Sequence, residues 1–226
     1  MDRGLIRHVR RRPPVHIYSD AELMKLLEAA KVVSRQHPVR GTTLHAMVGL
    51  GAAAGLRISE VVRLDRRDVD LRVGVLTILR TKFAKDRLVP VHQTTLEVLR
   101  RYSEVRDAHF GEVECPAFFL NLRGRRYSRH TVQLDFWTLG RQAGLREAVG
   151  KGPRFHDLRH TFAVRRLAGW YHEGRDLQAM LPVLATYMGH AQYSDTAYYL
   201  GATAELLGLA VERFATFAAA AKEAAQ

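Results

Sequence analysis

Two imidazoles and a guanidinium share one short run, Arg154-Phe155-His156-Asp157-Leu158-Arg159-His160, and Met188-Gly189-His190 and the adjacent phenols Tyr198 and Tyr199 follow it. Upstream, Arg57 and Glu60 stand three residues apart. These residue types suit an oxyanion. A guanidinium holds phosphate or carboxylate through paired N–H groups at any relevant pH, an imidazole exchanges a proton near neutrality, and a phenol becomes a nucleophile once its proton is taken. Leu158, Phe162, Ala163 and Leu167 fall at helical spacing, which leaves a polar face for His156, Arg159 and His160 to share. A helix start here would set those groups beside free backbone N–H groups, an anion site. The same run also reads as a surface helix with solvated charges. His156 and His160 at i,i+4 are spaced like metal ligands, but Arg154, Arg159 and Arg165 would repel a divalent cation.

The elements that must position these groups follow from local patterns. Ser19-Asp20-Ala21-Glu22 is a capping box, and Leu23, Leu26, Leu27 and Ala30 mark one face of a helix running to about residue 33. A second helix is expected from about residue 43 to Gly55, inside an uncharged run (46–56) that is too short to span a bilayer and reads as buried. Residues 56–64 resume helical spacing with Ile58, Val61 and Val62 inward. Glu60 would then fix the Arg57 guanidinium, although an ordinary surface pair of this kind contributes only a few tenths of a kcal/mol. Residues 73–79 and 87–91 read as a β-hairpin whose connection, 81–86, carries Lys82 and Lys85. A lysine there can set an ammonium against a phosphate or a leaving oxygen, or merely aid solubility. Helices are expected at 94–105 and 128–143, with a short strand at 117–120 and a turn at 124–126. Leu207, Ala210, Val211, Phe214, Phe217, Ala218 and Ala221 make an apolar stripe on a C-terminal helix at about 203–225. The fold class is α+β, mostly α, with a small antiparallel β-sheet.

Composition narrows the partners. With 226 residues and 47% hydrophobic content the chain can bury one good core, and Lys plus Arg outnumber Asp plus Glu by 35 to 23, a formal charge of +12. That balance points to a polyanion such as nucleic acid. Apart from Lys25, Lys31, Lys82, Lys85, Lys151 and Lys222 the cations are all arginine, which suits phosphate but which a genome rich in G and C would also favour. Residues 1–16 hold Arg3, Arg7, Arg10, Arg11 and Arg12 before or beside Pro13-Pro14 and read as a basic arm, with Arg10, Arg11 and Arg12 as phosphate contacts or a solvated tail. The single Cys115 excludes an internal disulfide and a cysteine-based zinc cluster, and fits a reducing cytoplasm.

Taken in order, Gly55-Leu56-Arg57-Ile58-Ser59-Glu60, the lysine hairpin ending in Arg87-Leu88-Val89-Pro90, His156-Asp157-Leu158-Arg159-His160-Thr161-Phe162-Ala163, Met188-Gly189-His190 and Tyr199 nine residues later make a pattern. It resembles that of the tyrosine recombinases, the phage-type integrase family, over about residues 17–210. The resemblance implies a helical catalytic domain of that type across 17–226, behind the arm and without the separate N-terminal core-binding domain. It places the family's two arginines on Arg57 and Arg159, an acidic support on Glu60, the hairpin lysine on Lys82, the histidines on His156 and His190, and the nucleophile on Tyr199. Tyr198 is left to packing and Lys85 to DNA contact. The implied activity is site-specific cleavage and rejoining of double-stranded DNA through a 3′-phosphotyrosyl intermediate, without metal, cofactor or ATP. The implied uses are integration, excision, inversion or resolution. The implied partners are DNA and further copies of the chain, up to a tetramer on paired sites, in the cytoplasm and with no membrane. Phe83-Ala84 stand where the family's hairpin carries glycine, which leaves Lys82 against Lys85 open. A non-catalytic DNA-binding protein of the same fold is the alternative.

Overall fold

A computed structural model describes residues 15–79, 86–146, 152–190, 192, 194–202 and 208. The elements begin with α1 (Asp20–Gln36), α2 (Pro38–Ala54) and α3 (Ile58–Arg63), followed by a short 3-10 turn, Arg66–Asp68. The strands β1 (Val69–Asp70), β2 (Val75–Ile78) and β3 (Arg87–Pro90) come next. Five helices complete the order: α4 (Gln93–Phe110), α5 (Arg129–Gln142), α6 (Phe155–His172), α7 (Leu177–Met188) and α8 (Ser194–Ala202).

The expected mostly helical α+β class is what is observed. Ser19 and Glu22 form the expected capping box on α1, and that helix runs one turn past the expected end, to Gln36. The second helix begins five residues earlier than expected, at Pro38 instead of residue 43. Proline at the first helical position loses no hydrogen bond there, so it opens the helix and does not break it. Residues 94–105 were expected as helix, and α4 extends that span at both ends.

β2 and β3 pair antiparallel with Leu76 opposite Val89, as a hairpin requires. A two-residue strand, β1, adds to the other edge of β2. The expected strand at 117–120 is corrected to isolated bridges, Asp65 with Ala117 and Leu120 with Arg126. Those residues alternate no polar face, because Ala117, Phe118, Phe119 and Leu120 are all buried, and no neighbouring strand among the described residues extends the ladder.

α2 packs against α1, α4 and α6 and forms the centre of the main core with Leu44, Met47, Leu50 and Leu56. A second, smaller apolar cluster joins α6, α7 and α8 through Phe162, Leu167, Leu181, Leu184, Met188 and Tyr199. Where the basic arm was expected to run to residue 16, the chain enters the core at once: Tyr18 is buried and its N–H donates to Thr161 Oγ1 at 2.9 Å.

Gly55 ends α2 in the left-handed region at φ 61°, and a Cβ there would lie 2.5 Å from the Phe162 ring. Gly55→Ala therefore combines left-handed strain with overpacking. It should destabilise the fold by about 2–4 kcal/mol, the sum of roughly 1–2 for the backbone and 1–3 for the clash, less what relaxation recovers. Urea unfolding of the variant against the parent measures this.

Candidate active site

The first functional side chain stands where α2 gives way to α3. Glu60, in the first turn of α3, reaches back to the Arg57 backbone N–H at 2.9 Å and to Arg57 Nη1 at 3.0 Å. The pair read from the sequence is thus a helix cap that also aims a guanidinium. Glu60 takes a second guanidinium from β3, Arg87, whose Nη1 and Nη2 each donate to it at 3.0 Å.

These arginines converge on the carbonyl end of α7. Arg87 Nε donates to the Tyr187 carbonyl at 2.8 Å, and Arg57 Nη2 donates to the Gly189 carbonyl at 3.0 Å. Arg159, from α6, donates through Nη2 to the Met188 carbonyl at 2.7 Å and through Nη1 to the Gly55 carbonyl at 2.6 Å. Arg159 was expected on a polar face shared with His156 and His160, but it is 1% exposed and points into the protein. Two carbonyls at the ends of α2 and α7 satisfy it there, so burial does not strand its charge. The free N–H groups expected at the start of α6 are also partly used, since the Asp157 carboxylate accepts from the Arg154 N–H at 2.8 Å.

Gly189 turns the chain out of α7 at φ 65°, and a Cβ there would lie 2.8 Å from Arg87 Nη1. The turn delivers His190, whose Nδ1 lies 2.7 Å from the hydroxyl of Thr196, a fully buried residue of α8. In the tautomer where Nδ1 accepts that hydroxyl proton, Nε2–H is left to donate. Tyr199, also on α8, is 3% exposed, and its hydroxyl lies 2.8 Å from His160 Nδ1. The His156 ring meets the His160 ring edge-on at 4.7 Å, with the His156 residue open to solvent. Tyr198 packs partly buried against the second cluster.

Arg57, Arg159, His156, His190, Tyr199 and Glu60 therefore come together. Lys82, Lys85, Arg10, Arg11 and Arg12 lie outside the described residues, as do the seven residues of the C-terminal stripe. Sequence reasoning assigned no role to Arg87 or Thr196, and it gave His160 only a share of the polar face and a weighed metal-ligand spacing, not a contact with Tyr199. The spacing of His160 from His156 was visible; nothing local marks Thr196. The metal reading finds no support in the packing, because among the described residues no three His, Cys, Asp or Glu side chains are grouped to hold an ion.

Three guanidiniums against one carboxylate leave a positive excess, and the titratable groups register it. Burial alone would raise Glu60, but the hydrogen bonds and charge of Arg87, with Arg57 and Arg159, hold it below the usual carboxylate range. Burial and then the Arg57 charge push Arg159 down to about 9, still a cation at neutral pH. Desolvation and the nearby arginines push His190 down to about 3, and desolvation and His156 push His160 down to about 4. His156 moves the same way, through crowding by protein and the Arg159 charge. All three imidazoles are thus neutral at pH 7. Burial raises the Tyr199 phenol to about 12 even though Arg159 and Arg57 pull it down. Such a set of donors suits an anionic tetrahedral or trigonal centre with a phenol beside it.

The profile of the Phage integrase family matches residues 19–205. A Sinorhizobium fredii protein named as an integrase/recombinase, y4rE, is 52% identical over 201 residues, which cover 89% of this chain and 64% of that protein. The tyrosine recombinase XerD of Staphylococcus epidermidis is 32% identical over 179 residues, 79% of this chain and 55% of XerD. The chain thus spans less than two thirds of the length of both. Among solved structures, the XerA recombinase matches with a TM-score of 0.71 at 25% identity, covering 90% of this chain and 66% of that one. XerH bound to its palindromic difH substrate matches with a TM-score of 0.67 at 24% identity, covering 88% and 53%, a likeness of fold. No described helix is long and apolar enough to cross a membrane.

The depressed imidazoles have a consequence for stability. Their folded values lie below the ordinary histidine value, so the unfolded chain binds more protons as pH falls below about 6.5. Their contribution is intact above that pH and is lost as pH falls through the folded values near 4 and 3. The thermal midpoint should fall between pH 7 and about 4.5. A variant carrying glutamine at positions 156, 160 and 190 should show a shallower fall, with His45, also depressed by burial, supplying part of the remainder. Calorimetric melts across that range test it; equal slopes for the two proteins would contradict it.

Proposed function

The chain belongs to the phage integrase family and has the fold of tyrosine recombinase catalytic domains, and on that premise we propose that it cuts and rejoins double-stranded DNA at specific sites. The observation that carries the reading is the meeting of Arg57 and Arg159 at the carbonyl end of α7, beside His190 and the Tyr199 hydroxyl. In this mechanism the two arginines and His190 hydrogen-bond the non-bridging oxygens of a phosphodiester, where negative charge grows as it is attacked. Tyr199 attacks phosphorus to form a 3′-phosphotyrosyl bond, and the 5′ oxygen leaves. His156, solvent-open beside the arginines, is the acid/base partner that the family resemblance supplies. Lys82 donates the proton that the leaving oxygen needs. The covalent bond keeps the phosphodiester energy, so a second DNA end reverses the step without ATP. Guanidinium charge does the work that a divalent cation would otherwise do.

The formal charge of +12 supports DNA as the partner. Arg10, Arg11, Arg12 and Lys85 would add phosphate contacts outside the site. Copies of the chain would assemble on paired sites, up to a tetramer, with the apolar stripe of residues 203–225 as the contact. A DNA-binding protein without cleavage is the second reading, and one experiment separates the two.

On nicked suicide DNA the parent chain should form a covalent adduct that Tyr199→Phe abolishes and Tyr198→Phe preserves. Arg57→Ala should lower cleavage by at least about 10²–10³-fold, the effect of one donor at a developing oxyanion, while binding the same DNA with little change. Excess EDTA should leave the rate unchanged. No adduct from the parent chain would favour the binding-only reading, and an adduct that survives Tyr199→Phe would move the nucleophile elsewhere. Deleting residues 1–14 should flatten the salt dependence of DNA binding by about 0.9 in log–log slope for each phosphate that the arm no longer neutralises; band shifts at several salt concentrations measure it.

A further inference from the structure

We propose that His160, and not His156, takes the proton from Tyr199 as the phenol attacks, so that His160 is a catalytic residue of this chain. The inference rests on Tyr199 being the nucleophile. Its basis is geometry: His160 Nδ1 lies 2.8 Å from the Tyr199 hydroxyl, within ordinary O–H···N range, and the two rings are 5.5 Å apart and tilted by 60°. A hydroxyl that donates to Nδ1 leaves the other imidazole proton on Nε2, the neutral tautomer a base needs.

The placement is built and not incidental. His160 lies one turn beyond His156 on α6, the helix that also carries Arg159, so the base and the buried guanidinium share one rigid element. On the other side, α8 is fixed by the buried Thr196 against His190. Tyr199 is three residues further along α8, and its ring stacks 6.4 Å from that of His190. The phenol is therefore held between two imidazoles, with its oxygen toward His160.

The step balances as a substitution at phosphorus. The Tyr199 O–H bond breaks, its proton goes to His160 Nδ1, and an electron pair of the phenol oxygen forms the new O–P bond, while the P–O5′ bond breaks and O5′ leaves with the P–O5′ bonding pair, to be protonated in turn. In the resting chain the phenol sits at about 12 and the imidazole at about 4, a poor match for transfer by itself. A phosphodiester anion on the arginines favours the protonated imidazole, and the forming O–P bond acidifies the phenol. Transfer accompanies attack and does not precede it.

The test uses the full chain on nicked suicide DNA. His160→Ala should slow adduct formation by about 10²–10⁴-fold, the usual contribution of a positioned general base, with DNA affinity unchanged. His160→Asn keeps a hydrogen-bond acceptor but cannot hold the proton, so it should stay slow. A ring-fluorinated tyrosine at position 199, whose phenol ionises more readily, should recover at least about tenfold in the His160→Ala background, because a more acidic nucleophile needs less help from a base. A substrate with sulfur in place of the scissile 5′ oxygen needs no acid and should give no such recovery. A His160→Ala chain that cleaves at the parent rate overturns the proposal. So does full activity in His160→Asn, rescue by the sulfur substrate, or a slow His160→Ala chain that the fluorinated phenol fails to speed. An adduct that forms in Tyr199→Phe instead overturns the nucleophile itself, a separate result.

Discussion

The carbonyl end of α7 is where the chain is tied together. A helix C-terminus carries partial negative charge on carbonyls that have no partner within the helix. Here Arg87 from β3, Arg57 from the start of α3 and Arg159 from α6 donate to the carbonyls of residues 187, 189 and 188. Three elements distant in sequence are thereby fixed to one turn. Any shift of α7 moves His190, and any shift of β3 moves the strand that leads out of the hairpin connection. Glu60 makes the arrangement tolerable, because it accepts from two of the three guanidiniums that would otherwise repel one another.

One carboxylate does not cancel three cations, and the remaining charge governs the site. Burial first, and then the neighbouring charged and titratable groups, keep Arg159 easier to deprotonate than an ordinary arginine and keep His190 and His160 neutral well below pH 6. The chain accepts this electrostatic cost in the folded state, as sites built for an anion commonly do. An arriving phosphate would offset the repulsion among the arginines and raise the proton affinity of the imidazoles together. Anion binding and proton transfer are therefore linked through the same few groups.

Much of this was legible in the sequence where the signal is local. Ser19 with Glu22 marked a helix start, Gly55 a left-handed stop, and the alternating run before Arg87 a hairpin, each borne out by dihedral angles or register. The fate of Arg159 was not legible. Its spacing from Leu158 and Phe162 gives it a polar face, and only the two carbonyls at the ends of α2 and α7 make it tolerable inside. Arg87 and Thr196 were missed for the same reason: each acts on a partner far off in sequence or on another element, with no periodicity to announce it. The start of α2 at Pro38, five residues before the expected one, reflects that proline at the first helical position loses no hydrogen bond.

The location of Tyr199 adds a constraint that the charge pattern alone does not. The proposed nucleophile, at 3% exposed, is shielded from solvent and from stray substrate, but to act in that role it would have to meet phosphorus. It sits on α8, in the smaller of the two apolar clusters. Segments packed in a smaller cluster open at lower free energy than those in the main core, so α8 could adjust without unfolding α2. What holds α8 in register includes the hydrogen bonds of Thr196 to His190 and of Tyr199 to His160. Both partners are imidazoles whose proton affinity would change if an anion bound beside the arginines. The position of the phenol and the charge of the site would then be linked through these two hydrogen bonds.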